Sequence, residues 1–110
     1  MSEATMSVVV NFRFDGVHSW PECPLDPVSF LRHPHRHEFH VRATKGVTHA
    51  ERQVEIIMLK RAMQEYCTMW LCGPHTKSCE TMALELLQFF SLSSCEVTED
   101  GENGAVVMAP

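Results

Sequence analysis

Apolar and polar residues alternate in two segments near the start of the chain, as expected of half-buried β-strands. In "SVVVNFRF" one face carries Val8, Val10, Phe12 and Phe14, whereas Asn11 and Arg13 lie on the other face. In "RHEFHVRATKG" and the residue before it, one face carries His35, His37, Phe39, Val41 and Ala43. The opposite face of this second strand carries Arg36, Glu38, His40 and Arg42. The pattern predicts two strands, each with one face turned to a core.

The segment between these strands, "DGVHSWPECPLDP", contains one glycine and three prolines. Proline lacks a backbone N–H and fixes φ, so this composition predicts a loop without regular structure.

Two helices are predicted in the second half of the chain. In "THAERQVEIIMLKRAMQEYCTMWLCGP" an apolar stripe at helical spacing consists of Ile56, Leu59, Met63, Cys67 and Trp70. Thr48 and Glu51 could form a capping box at its start, or "QVEII" could be a short strand before a helix that begins later. In "SCETMALELLQFFSL" Ser78 is the predicted N-cap, and Glu80 suits the positive end of the helix dipole.

The last segment, "SCEVTEDGENGAVVMA", predicts a hairpin with its turn at residues 100–104. The element order is therefore strand, strand, helix, helix, strand, strand. Without repeats, low-complexity segments or linkers, residues 1–110 are expected to form a single α+β domain.

Composition and charge argue against several classes of protein, namely nucleic-acid-binding, membrane-spanning and disulfide-stabilised proteins. The chain has 110 residues, of which 45% are hydrophobic, and a net charge of -5, which argues against nucleic-acid binding. Its apolar runs are shorter than the ~20 residues that cross a bilayer, and "MSEATMSVVV" does not resemble a signal peptide, so a cytoplasmic protein is expected. The five irregularly spaced cysteines do not suggest a disulfide framework.

The stretch "FLRHPHRHEFHV" places four histidines within eight residues. His35 and His37 project from the same strand face at a backbone spacing of about 6.6–7 Å, from which two imidazoles can converge on one ion. If the first strand extends to "DGVH" and pairs antiparallel with the second, His18 joins them. His40 faces away, and His33 is a candidate for supporting the ligands from outside. The alternative is that the histidines have no shared function, because a short motif alone is weak evidence for a metal site.

The pattern resembles the 6-pyruvoyl-tetrahydropterin synthase and 6-carboxy-tetrahydropterin synthase family, which has the tunnelling fold (T-fold). "FRFDGVH" resembles the family's first strand, and "HRHEFHV" resembles its H-G-H-N-Y-x-V signature with Arg36 in place of Gly. "EIIMLK" resembles D-F-x-x-L-K, with Glu55 for Asp. "SCETMA" and "CEVTEDGENGA" resemble T-x-E-N-L-A and the terminal V-x-V-x-E-T strand.

The resemblance implies a Zn²⁺ site formed by His18, His35 and His37. It implies that Glu99 anchors a pterin, a role suited to a carboxylate that accepts two parallel N–H bonds, with Glu80 supporting the pocket. It also implies an antiparallel sheet with two helices on one face, and subunits that assemble into a barrel as a homo-oligomer, usually a hexamer. The implied activity is that of a lyase on a dihydroneopterin triphosphate-type substrate, in pterin or queuosine-type biosynthesis.

The chain departs from the family in its proton-transfer residues. The family's Cys just before H-x-H is absent from "SFLRHP", and its Asp–His pair after the first helix is absent from "YCTMWLCGPHTK". Cys23 and His75 are the remaining candidate catalytic residues. The alternative is that Cys23 is a loop thiol without a role and His75 an exposed loop residue near a helix cap. Three hypotheses follow: a zinc-dependent lyase, a divergent T-fold protein that binds a pterin or purine without the reaction, and a metal-free assembly protein.

Overall fold

The computed structural model describes residues 4–110, so the first three residues of the predicted domain lie outside the described part. The chain forms an α+β structure with a four-stranded antiparallel sheet. Along the chain, the strands and α-helices are β1 (Met6–His18), β2 (His35–Val47), α1 (Ile56–Cys67), α2 (Cys79–Phe90), β3 (Ser94–Glu99) and β4 (Asn103–Met108).

The strands lie side by side in their chain order, β1-β2-β3-β4. β1 and β2 pair along their full length, from Met6 opposite Val47 to His18 opposite His35. The pairing of β2 with β3 places Phe39 opposite Glu99. This register sets the end of β1, the start of β2 and the end of β3 at one corner of the sheet.

Both α-helices cover the same face of the sheet. The strand side chains on this face belong to one buried cluster together with Met63, Trp70, Met82 and Leu86 from the helical segments. The predicted inward face of β2 is confirmed, since Phe39, Val41 and Ala43 are all buried. Ile56 was predicted to continue the apolar stripe of α1, but its side chain is exposed.

The capping residues define where the helices begin. α1 begins at Ile56, because the Glu55 carboxylate accepts the backbone N–H groups of Ile57 and Met58, each at 3.1 Å. This confirms the later helix start over a start at the Thr48–Glu51 capping box, but the short strand that "QVEII" could have formed is not present at residues 53–57. Ser78 caps α2 as predicted, with its hydroxyl oxygen 3.1 Å from the Thr81 nitrogen.

Two predictions about helices and the loop were wrong. Residues 4–110 contain three separate helical stretches rather than two, because a 3₁₀ helix forms at Asp26–Arg32. A second 3₁₀ turn, Thr68–Trp70, directly continues α1. Proline suits the first turn of a helix, where no intrahelical acceptor is available for the N–H that it lacks. Pro27 lies in the first turn of this helix, so the proline content of the segment does not exclude a helix. The predicted loop is also shorter at its other end, since β1 continues to His18.

Among residues 4–110, no helix has both the length and the apolar character needed to cross a bilayer.

Candidate metal centre

The two-residue period of the strands brings three imidazoles together at the corner of the sheet. His18 ends β1 directly opposite His35, and His37 follows two residues later on the same face. The ring centroids of His18 lie 4.6 Å from His35 and 5.5 Å from His37, and those of His35 and His37 are 5.0 Å apart. Gly16, opposite His37, leaves room for the ring of Phe39, because a Cβ at this position would lie 2.9 Å from that ring.

All three rings use Nδ1 in the same way, because each Nδ1 lies within hydrogen-bond distance of an oxygen that can only accept. The pairs are His18 with the Lys77 carbonyl at 2.9 Å, His35 with the His33 carbonyl at 2.8 Å, and His37 with the Asp100 carboxylate at 2.8 Å. Each Nδ1 must therefore carry the proton, which in a neutral ring leaves a free lone pair on Nε2. Histidines that bind metals are oriented in this way by their second nitrogen.

Glu99 completes the cluster. Its Oε2 lies 2.9 Å from Nε2 of His18 and 3.7 Å from Nε2 of His37. One ligand atom from each of the four side chains lies within 4.8 Å of the others. The Nε2 atoms of His35 and His37 are buried and have no hydrogen-bonding partner among the described residues.

These observations fit a bound cation. A buried nitrogen lone pair without a partner is costly, as at Nε2 of His35 and His37. The carboxylate of Glu99 would likewise face a lone pair of His18 unless a second ring proton or a metal ion lies between them. The cluster of His18, His35, His37 and Glu99 could therefore hold one metal ion.

Asp100 belongs to the site, although the sequence predicted it only as the first residue of the hairpin turn. One carboxylate oxygen accepts the N–H of Glu38 at 2.9 Å, and the other binds His37. These two hydrogen bonds, the first of them largest, lower the pKa of Asp100 below its ordinary value. Its position in the turn directly after Glu99 was the available signal. His33, a candidate for supporting the ligands from outside, does so through its backbone carbonyl rather than its ring. The carbonyl of Lys77 was not predicted, because backbone groups carry no sequence signature.

A cavity of about 430 Å³ opens beside His18, His35 and Glu99. Trp20 and Leu31 line it with apolar surface, and the start of α2 lines it with polar groups that include Ser78 and Glu80. Glu80, predicted to support a pocket, is thus at this cavity. Cys79 also lines the cavity, and burial, with a smaller contribution from Glu99, raises the pKa of its thiol to about 12.

His75 is held next to the histidine cluster by backbone pairing with the end of β1. Its N–H binds the Val17 carbonyl at 3.1 Å, and its carbonyl accepts the Ser19 N–H at 3.0 Å. Its ring centroid is 5.8 Å from that of His18. The ring has the opposite tautomer, because Nδ1 accepts the Lys77 N–H at 3.0 Å. Burial lowers the pKa of His75.

Cys23 lies apart from the cavity lining, in the loop after β1. Its side chain is only 1% exposed. The Sγ atom faces the carbonyls of Leu25 and Val28 at 3.9 and 3.8 Å, and Arg32 donates to the Cys23 carbonyl at 2.8 Å. The cysteine thus packs inside its own loop.

No protein-family model and no curated protein matches this sequence. The chemistry of the site therefore carries the functional argument.

Proposed function

We propose that this chain is a T-fold, tetrahydropterin synthase-like lyase that binds Zn²⁺ through His18, His35 and His37. The proposed substrate is of the dihydroneopterin triphosphate type, as in the biosynthesis of pterins or of 7-deazaguanine (queuosine) precursors. One observation carries the proposal: a ligand atom of each of the three imidazoles and of Glu99 lies within 4.8 Å of the others, while each Nδ1 has an acceptor of its own. Three neutral imidazoles and an oxygen are a ligand set typical of catalytic zinc.

The bound ion would polarise a substrate oxygen and so acidify an adjacent C–H or O–H. The chain's own side chains position the substrate. The apolar surface of Trp20 and Leu31 suits the flat faces of a heterocycle. Glu99 lies at the boundary between the cavity and the histidines, and a carboxylate there would accept paired N–H bonds from a 2-amino-4-oxo pyrimidine edge. Glu80 supports the cavity at the first turn of α2.

Proton transfer is assigned first to His75. Its ring centroid lies 5.8 Å from that of His18, and burial lowers its pKa. The Lys77 N–H occupies Nδ1, so Nε2 carries the ring proton, and His75 would have to turn towards the cavity beside it before it could accept a proton from a substrate. Cys23, the other candidate, would have to leave a buried position among carbonyl groups to reach a substrate.

The second candidate function is binding of a pterin or purine without the family's reaction. The packing of Cys23 inside its loop favours this candidate, as does the absence of the family's Asp–His pair from "YCTMWLCGPHTK". The metal and the carboxylate would then serve recognition alone.

We also propose assembly of subunits into a barrel, as a homo-oligomer with a hexamer as the expected form. β1 and β4 are the two ends of the described sheet, and each has one side without a paired strand in that part of the chain. Val106 and Met108 on β4 are 57% and 74% exposed, so pairing of β4 with a neighbouring β1 would cover them. We propose a cytoplasmic protein that acts on a small molecule, and its net charge of -5 argues against binding to nucleic acid or to an anionic membrane.

The proposed reaction is tested by incubating zinc-loaded protein with dihydroneopterin triphosphate and identifying products by mass spectrometry. The variants His35→Ala and His40→Ala form a matched pair, since both lie on β2 but His40 is on the opposite face, bound to Glu38 at 2.9 Å. We expect product from wild type and His40→Ala and none from His35→Ala. Binding of the substrate to zinc-loaded wild type without turnover would favour the second candidate, and an absence of both zinc and substrate binding would refute both.

A further inference from the structure

The Glu99 carboxylate borders both the histidine cluster and the adjacent cavity. It touches the imidazoles of His18 and His37 through Oε2, and it lines the adjacent cavity. The distance of 2.9 Å to Nε2 of His18 is a hydrogen-bonding distance, yet Nδ1 of that ring already donates to the Lys77 carbonyl. The contact is therefore favourable only if a positive charge, either a second ring proton or a metal ion that both atoms bind, lies between Nε2 and Oε2. The buried Nε2 atoms of His35 and His37, which have no hydrogen-bonding partner among residues 4–110, favour a metal ion.

Glu99 and Asp100 are adjacent carboxylates that are held very differently. Both oxygens of Asp100 are occupied by donors, the Glu38 N–H and the His37 ring. The side chain of Glu99 is 29% exposed, and within residues 4–110 its polar contacts are those with the two imidazoles. Asp100 is therefore fixed in place, whereas Glu99 can turn about its side-chain bonds once another group competes for it.

We propose that Glu99 is a fourth metal ligand in the resting site and leaves the ion when a ligand with adjacent N–H donors enters the cavity. The inference rests on the proposed function and deepens it. Glu99 would close the coordination of the ion against solvent until a 2-amino-4-oxo heterocycle takes over its carboxylate. Binding of the heterocycle would thereby free one coordination position, so that the site opens only when substrate is present.

The test compares wild type with Glu99→Gln, and Glu96→Gln is the matched control, because Glu96 lies on the same strand with its side chain exposed. Zn²⁺ affinity is measured by competition with a chromophoric chelator, and the visible spectrum of Co²⁺-loaded protein reports coordination number. Neopterin is the heterocyclic probe.

We expect Glu99→Gln to weaken Zn²⁺ binding by at least about tenfold, because even groups that only orient metal ligands contribute 10–100-fold. Its Co²⁺ spectrum should differ from wild type and should not respond to neopterin, whereas the wild-type and Glu96→Gln spectra should change when neopterin binds. Circular dichroism checks that the variants are folded.

Equal Zn²⁺ affinities and equal spectra for wild type and Glu99→Gln would overturn this inference alone. Binding of neopterin to wild type without a change in the Co²⁺ spectrum would overturn the ligand exchange. A wild-type protein that binds no Zn²⁺ would overturn the inference together with the proposed function.

Discussion

His37 and Asp100 are joined by a hydrogen bond of 2.8 Å from the ring Nδ1 to the carboxylate Oδ2, across 63 residues of sequence. The same Asp100 accepts the N–H of Glu38 and sits in the left-handed region with φ of 58°. The turn that follows β3 thus fixes the orientation of the His37 ring near the start of β2. This contact ties the shape of a hairpin to the geometry of the candidate metal centre.

The first prediction concerns Asp100→Asn. Asparagine tolerates the left-handed backbone, but it replaces a charged acceptor with a neutral amide and weakens the hold on His37. We expect Zn²⁺ affinity to fall by about 10–100-fold, measured by chelator competition. Asp15→Asn is the control, since Asp15 pairs with Arg36 on the other face at 2.8 Å. Equal affinities for the two variants would show that Asp100 does not orient His37.

The second prediction concerns the reactivity of the thiols. Four of the five cysteines are buried and only Cys72 is exposed. Burial raises the pKa of Cys67, Cys79 and Cys95 to about 12, and the thiolate is the reactive form. In native protein at pH 8, iodoacetamide should modify Cys72 at least roughly 100-fold faster than any other cysteine.

Peptide mapping by mass spectrometry identifies the modified residues over time. Unfolding in urea should make all five cysteines reactive, and the Cys72→Ala variant should resist modification until it is unfolded. Rapid modification of Cys23 in the native protein would contradict its packing inside the loop.

The third prediction concerns stability at alkaline pH. In the unfolded chain a thiol loses its proton near its ordinary pKa of about 8.5, whereas in the native state Cys67 and Cys95 keep theirs up to about 12. Between these values the unfolded state binds fewer protons, so the free energy of unfolding should fall as pH rises. Below about pH 8.5 these thiols are protonated in both states and contribute no pH dependence.

Urea unfolding at pH 8, 9.5 and 10.5, with a chelator present to remove metal effects, measures this decline. Cys95→Ala should show a shallower decline than wild type, and Cys72→Ala should match wild type. The burial argument fails if all three proteins lose stability equally.

The fourth prediction concerns Gly104, which pairs with Thr98 across the terminal hairpin. A Cβ at this position would lie 2.0 Å from the Val97 carbonyl oxygen, and backbone atoms cannot move aside as a side chain does. Gly104→Ala should lower the free energy of unfolding by about 1–3 kcal/mol or more. At Gly46 the nearest atom is the Ser93 hydroxyl at 3.2 Å, so Gly46→Ala should cost less in the same urea titration.

Because the hairpin also carries Glu99 and Asp100, folded Gly104→Ala should bind Zn²⁺ more weakly than Gly46→Ala. A Gly104→Ala variant as stable as wild type would show that the β3–β4 pairing differs from that described.

Much of the candidate site follows from strand periodicity. Alternation alone places His35 and His37 on the inward face of β2, and antiparallel pairing with an extended first strand adds His18, as the register shows. The N-cap role of Ser78 is also predictable from the sequence, because its hydroxyl accepts a backbone N–H only three residues away.

The rest depends on contacts between distant parts of the chain. The closeness of Glu99 and Asp100 to the histidines follows from the register of β2 with β3, which alternation alone does not determine. The position of Cys23 depends on how the 3₁₀ helix Asp26–Arg32 folds the loop back, with Arg32 reaching the Cys23 carbonyl. The prolines of this segment predicted a loop without regular structure, whereas Pro27 occupies the first turn of the 3₁₀ helix.

The central claim, that three imidazoles and a carboxylate bind one cation, is tested most directly by X-ray absorption spectroscopy at the zinc edge on zinc-loaded wild-type protein. We predict one Zn²⁺ per chain, with three imidazole nitrogens and one oxygen at about 2.0–2.2 Å. Fewer than three imidazoles, or a sulfur neighbour at about 2.3 Å from one of the cysteines, would contradict the account.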